Sequence, residues 1–220
     1  MNKIYLWGIA VLVIVLVASL GPVAAQDGTD LSAEEQLGKS ILFVENLSIN
    51  QNQSCASCHG PGVGWTGPIA EINTAGGVYE GSIDGRFGDR KPPSAAYATP
   101  SPIFHVDKKG VWVGGNFWDG RATGEVLGKP AADQARGPFL NPVEQALPDS
   151  ACVVYRVSTN TDYPVSFEDV WGTLDIVWSG NVDANCAAGA TIDLDSDDRA
   201  KSDAAYDLSL IHISEPTRLQ

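Results

Sequence analysis

Cys55-Ala56-Ser57-Cys58-His59 sets two thiols one helical turn apart, with an imidazole directly after the second. Each thiol can bond a haem vinyl group covalently. A histidine at that offset is held beneath the ring, where its nitrogen can take the iron. The spacing is that of a c-type haem attachment site. Paired cysteines also serve two other chemistries. A structural zinc site wants two further Cys or His ligands at suitable spacing, and no second cluster of that kind stands in the chain. A thioredoxin-like dithiol wants a strand before it and has no use for the histidine. Haem is the reading the residues favour.

The far side of such an iron decides its chemistry. A carrier of electrons commonly holds its iron between His and Met. The only methionine here is Met1, in the leader. That leaves His105, a tyrosine, a lysine or an open position. An open position fits best, and five-coordinate haem binds small oxidants.

The elements that must position these residues are uneven in their signals. Ser32-Ala33-Glu34-Glu35 is a capping box, with Leu37 and Ile41 following one turn apart, which predicts a helix over 32–43. The haem motif sits on a short helical turn at 55–59. Residues 60–102 are rich in Gly and Pro and read as loops that wrap a cofactor. Phe104 to Phe117 alternates around Lys108-Lys109-Gly110, which predicts a small hairpin. Helices are expected over 148–158 and 164–171, with Gly172 as a stop. Ser196 caps a last helix from about 197. Trp65 reads equally as a ring against the cofactor or as an ordinary core aromatic. A mainly α, loop-rich shell suits a core whose apolar volume is partly porphyrin.

The N-terminus reads as a secretory signal peptide over residues 1–25. Lys3 precedes an apolar run from Ile4 to Leu20, Gly21-Pro22 breaks it, and Val23-Ala24-Ala25 offers a cleavage site. The alternative is an uncleaved membrane anchor, since the run is nearly long enough to span. Either way the rest is exported, which agrees with the haem motif. The chain carries 14 basic and 27 acidic side chains, a net charge of −13, and loss of the leader brings this to about −14. So acidic a surface argues against nucleic acid or an anionic membrane as partner. In an oxidising compartment the remaining pair, Cys152 and Cys186, reads as a disulfide closing a loop of about 35 residues, worth about 3 kcal/mol in the chain-entropy picture; two free thiols are the alternative. Residues 208–218, Leu-Ser-Leu-Ile-His-Ile-Ser-Glu-Pro-Thr-Arg, resemble the translated adapter of a transposase-type sequencing library. The expected organisation is thus a signal peptide at 1–25, a haem domain at 26–207 and an adapter-derived tail at 208–220 that interrupts the last helix.

Four blocks in order around the haem motif resemble the bacterial di-haem cytochrome c peroxidase and MauG family. They are Leu37-Gly38-Lys39-Ser40-Ile41-Leu42-Phe43 with Leu47-Ser48, Arg90-Lys91-Pro92-Pro93-Ser94, Phe117-Trp118-Asp119-Gly120-Arg121-Ala122, and Gln134-Ala135-Arg136-Gly137-Pro138 with Asn141-Pro142-Val143-Glu144. The resemblance implies the N-terminal, peroxide-reacting domain, a cytochrome c-like haem fold that is mainly α with long loops and a small β-hairpin. It makes His59 the proximal ligand, Gln134 and Glu144 the distal pair, and Trp118 an electron relay between two haems. It implies periplasmic reduction of hydrogen peroxide through a ferryl haem. Electrons would come from a second haem in a C-terminal domain beyond these residues, supplied by a donor cytochrome or cupredoxin. Glu144 would move the proton and Gln134 would hold the bound oxidant. MauG-like oxidation of a partner protein and mono-haem electron transfer are the alternatives. Three departures from the family pattern stand out. The stretch between Trp118 and Gln134 is lengthened through Leu127-Gly128-Lys129-Pro130. The loop after the haem motif lacks a distal histidine, which makes the pocket MauG-like and open. Lys91 stands where the family uses an Asn toward calcium, and a protonated lysine does not ligate calcium.

Overall fold

The computed structural model describes residues 31–213. The signal segment at 1–25, and with it the choice between cleavage and anchoring, lies outside the described residues. Ser32 starts α1 (Ala33–Phe43) as expected: its Oγ accepts from Glu35 N at 3.2 Å, and Glu35 Oε2 accepts from Ser32 N at 2.8 Å. Leu37, Ile41 and Leu42 recur at helical spacing and are buried. The haem motif forms α2 (Cys55–Cys58), and a short α3 (Ala70–Thr74) follows within the loop-rich stretch. The hairpin is β1 (His105–Val106) against β2 (Trp112–Val113), antiparallel with His105 opposite Val113. Asp107 Oδ1 closes its turn by accepting from Lys109 N at 2.8 Å and Val111 N at 2.9 Å.

The C-terminal half is helical. Pro130 opens α4 (Pro130–Ala135), so the lengthened stretch after Trp118 ends in a helix. Asp133 on α4 ties that stretch down, accepting from Gly124 N, Val126 N and Leu127 N. Asp149 caps α5 (Ser150–Ser158), and Ser166 with Asp169 makes a capping box for α6 (Phe167–Trp171), which Gly172 ends at φ 82°. Next come α7 (Val182–Ala187) and α8 (Ser196–Ile213). Cys152 on α5 and Cys186 on α7 form the disulfide. The core lies where α8 packs against α1, α4 and α5. Ile41, Leu47, Phe139, Leu147, Val153, Val154 and Leu210 are its fully buried side chains among others. The last helix is not interrupted at 207. Ala205, Tyr206, Ser209 and Leu210 form one continuous buried stripe, so the adapter-like stretch supplies Leu210 to the core.

Two polar anchors fix the loop that leads into the haem motif. Buried Arg156 on α5 donates to Asn46 O and Ser48 O at 2.7 and 2.8 Å. Ser48 Oγ in turn accepts from Asn52 N and Gln53 N, both at 3.0 Å. The block Leu47-Ser48 is therefore structural: it hangs residues 46–53 on α5, immediately before Cys55.

Candidate functional site

One helical turn is enough to put Cys55 and Cys58 on the same side. Ser57 Oγ accepts from Ser54 N at 3.1 Å and so starts that turn, and His59 N donates to Cys55 O at 2.9 Å to end it. Both cysteines are free, and with His59 they line one cavity of about 360 Å³. Burial pushes the Cys55 thiol up to about 12, reinforced by Cys58 and then by Glu144. Burial and then Glu144 push Cys58 up to about 11. A redox dithiol needs the opposite shift, toward an accessible thiolate.

His59 is turned by the tight loop behind it. Gly60 N donates to Thr66 O and Trp65 N to Gly60 O, each at 2.9 Å. A side chain at residue 60 would meet Pro68 Cβ at 2.7 Å, so only glycine fits there. Trp65, at φ 60°, is 3% exposed in the core and does not line the cavity. Its role at the site is its carbonyl, which lies 3.1 Å from His59 Nδ1. A carbonyl only accepts, so Nδ1 carries the proton and Nε2 keeps its lone pair for a metal. Burial lowers the His59 pKa and so keeps the ring neutral. The Arg90–Ser94 block braces this loop: Ala95 N donates to Trp65 O at 3.0 Å, Thr66 Oγ1 to Pro92 O at 2.7 Å, and Ser94 Oγ to Gly64 O at 2.6 Å.

Gln134 on α4 and Glu144 line the same cavity. The turn after Asn141 positions Glu144. Asn141 O accepts from Glu144 N at 2.9 Å, and Asn141 Oδ1 accepts from Val143 N at 3.2 Å. Ser82 N donates to Glu144 O at 2.7 Å across a close approach. There a Cβ on Gly81 would lie 2.5 Å from Val143 O. Half-burial raises the Glu144 pKa. A hydrogen bond with the Asn141 side chain works against that, Asp89 adds to it, and Arg121 opposes it. The cavity rim carries Arg90, Lys91, Phe117, Trp118 and Arg121. Trp118 is 79% exposed.

The donor set fits a c-type haem. Two thiols and a neutral imidazole share a cavity walled by Leu42, Pro93, Ala95, Ala131 and Phe139, with Lys91 at its mouth suited to the carboxylates of the macrocycle. His105 lies elsewhere, exposed on the hairpin with Nδ1 2.7 Å from Ile103 O, and is not among the cavity-lining residues. Among the described residues no group of three or more His, Cys, Asp and Glu is arranged to hold a metal ion.

Residues 32–212 match the family model described as di-haem cytochrome c peroxidase. The chain belongs to that family. Methylamine utilization protein MauG of Paracoccus denitrificans (strain Pd 1222) is 40% identical over 137 residues, which span 62% of this chain and 33% of MauG. Cytochrome c551 peroxidase of Pseudomonas aeruginosa is 26% identical over 149 residues, 62% of this chain and 36% of that protein. The crystal structure of the diheme peroxidase BthA from Burkholderia thailandensis E264 superposes with a TM-score of 0.55 at 26% identity, covering 82% of this chain and 38% of BthA. The chain thus spans about a third of the length of these family members. Arg90, Asp119 and Arg121 stand within the family blocks, and their types alone assign them no task. The structure joins them: Asp119 Oδ2 accepts from both arginines at 2.9 Å. The signal for such a pairing was the two cations and one acid shared by neighbouring blocks, but nothing in the sequence brings residue 90 beside residue 119.

Proposed function

We propose that this chain carries the peroxide-reducing haem of a periplasmic di-haem peroxidase. The observation that supports this most is a single cavity in which Cys55, Cys58 and His59 share walls with Glu144 and Gln134. Cys55 and Cys58 would hold the haem through thioether bonds, and His59 would offer Nε2 to the iron. Of the cations that line the cavity, Lys91 would suit its carboxylates, while Arg90 and Arg121 are paired with Asp119. When bound, the haem supplies a redox-active iron at which hydrogen peroxide is reduced. The chain's own residues then manage protons and access. With the haem in place, Glu144 would accept a proton from one oxygen of the peroxide and return it to the other, so that water can leave. A carboxyl raised by burial is suited to both halves of that task near neutral pH. The neutral amide of Gln134 donates a hydrogen bond to the oxidant and does not compete for its proton. Electrons enter by way of Trp118 from a second haem or a donor protein.

The test is Glu144→Gln, matured with haem in an export-competent host. With the Soret band unchanged, the single-turnover reaction with peroxide is expected to slow by about 10²–10⁴-fold. A loss below about tenfold removes Glu144 from proton transfer. A second reading, oxidation of a partner protein, is favoured by the higher identity to MauG, 40% against 26% for the cytochrome c551 peroxidase. It is separated by donor use: a peroxidase consumes peroxide continuously with a small one-electron donor, whereas a protein-oxidising enzyme does so poorly.

A further inference from the structure

Trp118 and Tyr97 are the most exposed aromatic side chains lining the cavity, each 79% exposed, and Trp118 sits on a loop held by several contacts. The loop is a tight turn: Gly120 N donates to Phe117 O at 3.2 Å. Below it Asn116 and Ala122 pair as a short antiparallel bridge. Phe117 is in the left-handed region at φ 66°, a conformation that costs a non-glycine residue strain. The Arg121 guanidinium lies 3.6 Å over the Phe117 ring. Asp119 is the hub. Its carboxylate accepts from Arg121 Nη1 on both oxygens at 2.9 Å, from Arg121 N at 3.3 Å and from Arg90 Nη1 at 2.9 Å. Arg90 comes from a separate segment that is tied, through Pro92 and Ala95, to the loop behind His59. A large aromatic is thus held out in solvent on a turn that is strained, cross-linked and anchored to the haem-ligand side of the cavity.

The geometry points to Asp119 as the positioning residue for Trp118: by clamping Arg121 across the turn and Arg90 from the neighbouring segment, it fixes the direction in which the indole faces a redox partner. The inference rests on the reading of Trp118 as the route for electrons. Arg90, Asp119 and Arg121 are each about half exposed, with side-chain exposures of 45%, 43% and 52%. Ion pairs this wet add little to stability. Three donors converging on one carboxylate are better explained as orientation than as a contribution to folding.

The experiment uses the haem-loaded chain labelled with 5-fluorotryptophan. The Trp118 resonance is assigned by its loss in Trp118→Phe, and the Soret band is followed as it returns to its resting position after one equivalent of peroxide in the presence of excess small one-electron donor, which supplies the electrons. Trp118→Phe is expected to slow that return about tenfold. Asp119→Asn is expected to narrow the Trp118 resonance, move it toward the value of a free indole and leave the other tryptophan resonances in place. It should slow the Soret return at least about threefold, and Asp119→Glu should restore both. If Asp119→Asn leaves the Trp118 resonance or the return rate at the wild-type value, the positioning role is overturned. If Trp118→Phe itself leaves the rate unchanged, the electron-route reading fails and the positioning role falls with it. The two failures are told apart by which variant is silent.

Discussion

A carboxyl and an imidazole do opposite things in this cavity for the same reason. Burial strips water from both and favours the neutral form of each, so the His59 pKa falls while that of Glu144 rises. Neutral is the state in which His59 binds metal. For Glu144 the shift sets a pH limb. The carboxylate must be free to accept a proton, so the peroxide reaction is expected to weaken as pH falls through the raised Glu144 pKa. That limb should lie above the ordinary glutamate value of about 4.3. Stopped-flow rates across pH should show it in the wild type and lose it in Glu144→Gln. The same shift has a stability sign: the folded state binds more protons, so this group's contribution is lost as pH rises through the raised value. At this scale only the haem motif was legible from types and spacing; Gln134, Glu144 and Trp118 were singled out by the family resemblance. Cys55, Cys58, His59, Gln134, Glu144 and Trp118 all line one cavity. The Trp65 carbonyl was not legible, because its use depends on a backbone turn at φ 60° and not on the side chain.

At the scale of elements, the capping box of α1 was read from the sequence, while Ser196, expected to cap the last helix, is its first residue and Asp195 Oδ1 caps it instead, accepting from Asp197 N and Asp198 N at 2.9 Å. α1 and α6 begin at capping boxes, α5 at an aspartate cap, and α8 within a residue of the expected start. α3 and α7 span five and six residues, too short to show a helical period. Only the Asn181 side chain, which accepts from Ala184 N at 3.1 Å, marks the start of α7. α4 was hidden because Pro130 reads as a loop residue, although proline is also a favoured first helical position. The helices make two stability predictions. Leu210 is fully buried on α8, so Leu210→Ala is expected to cost about 2–5 kcal/mol in denaturant unfolding. A cost near zero would show that α8 does not need its final turns. Replacing both Cys152 and Cys186 by Ala is expected to cost about 3–4 kcal/mol by the same measurement, from the entropy of the released loop.

At the scale of the whole chain, the net charge sets what it attracts. With a net charge of −13, the surface attracts cationic proteins over a range that salt sets, about 10 Å at 0.1 M. Electron delivery from a basic cytochrome is expected to slow several-fold between about 0.05 and 0.5 M salt. An acidic cupredoxin should show the reverse trend. A rate indifferent to salt with both donors would mean that contact is governed by the local rim at Trp118 and not by the net charge. The cavity also constrains how the protein is made. Its walls come from residues as far apart as Leu42 and Gln145, and closing them leaves the Cys55 and Cys58 thiols reluctant to ionise, at about 12 and 11. Thioether formation is therefore expected to run faster on the open chain than on one that has folded empty, since closing the cavity desolvates both thiols.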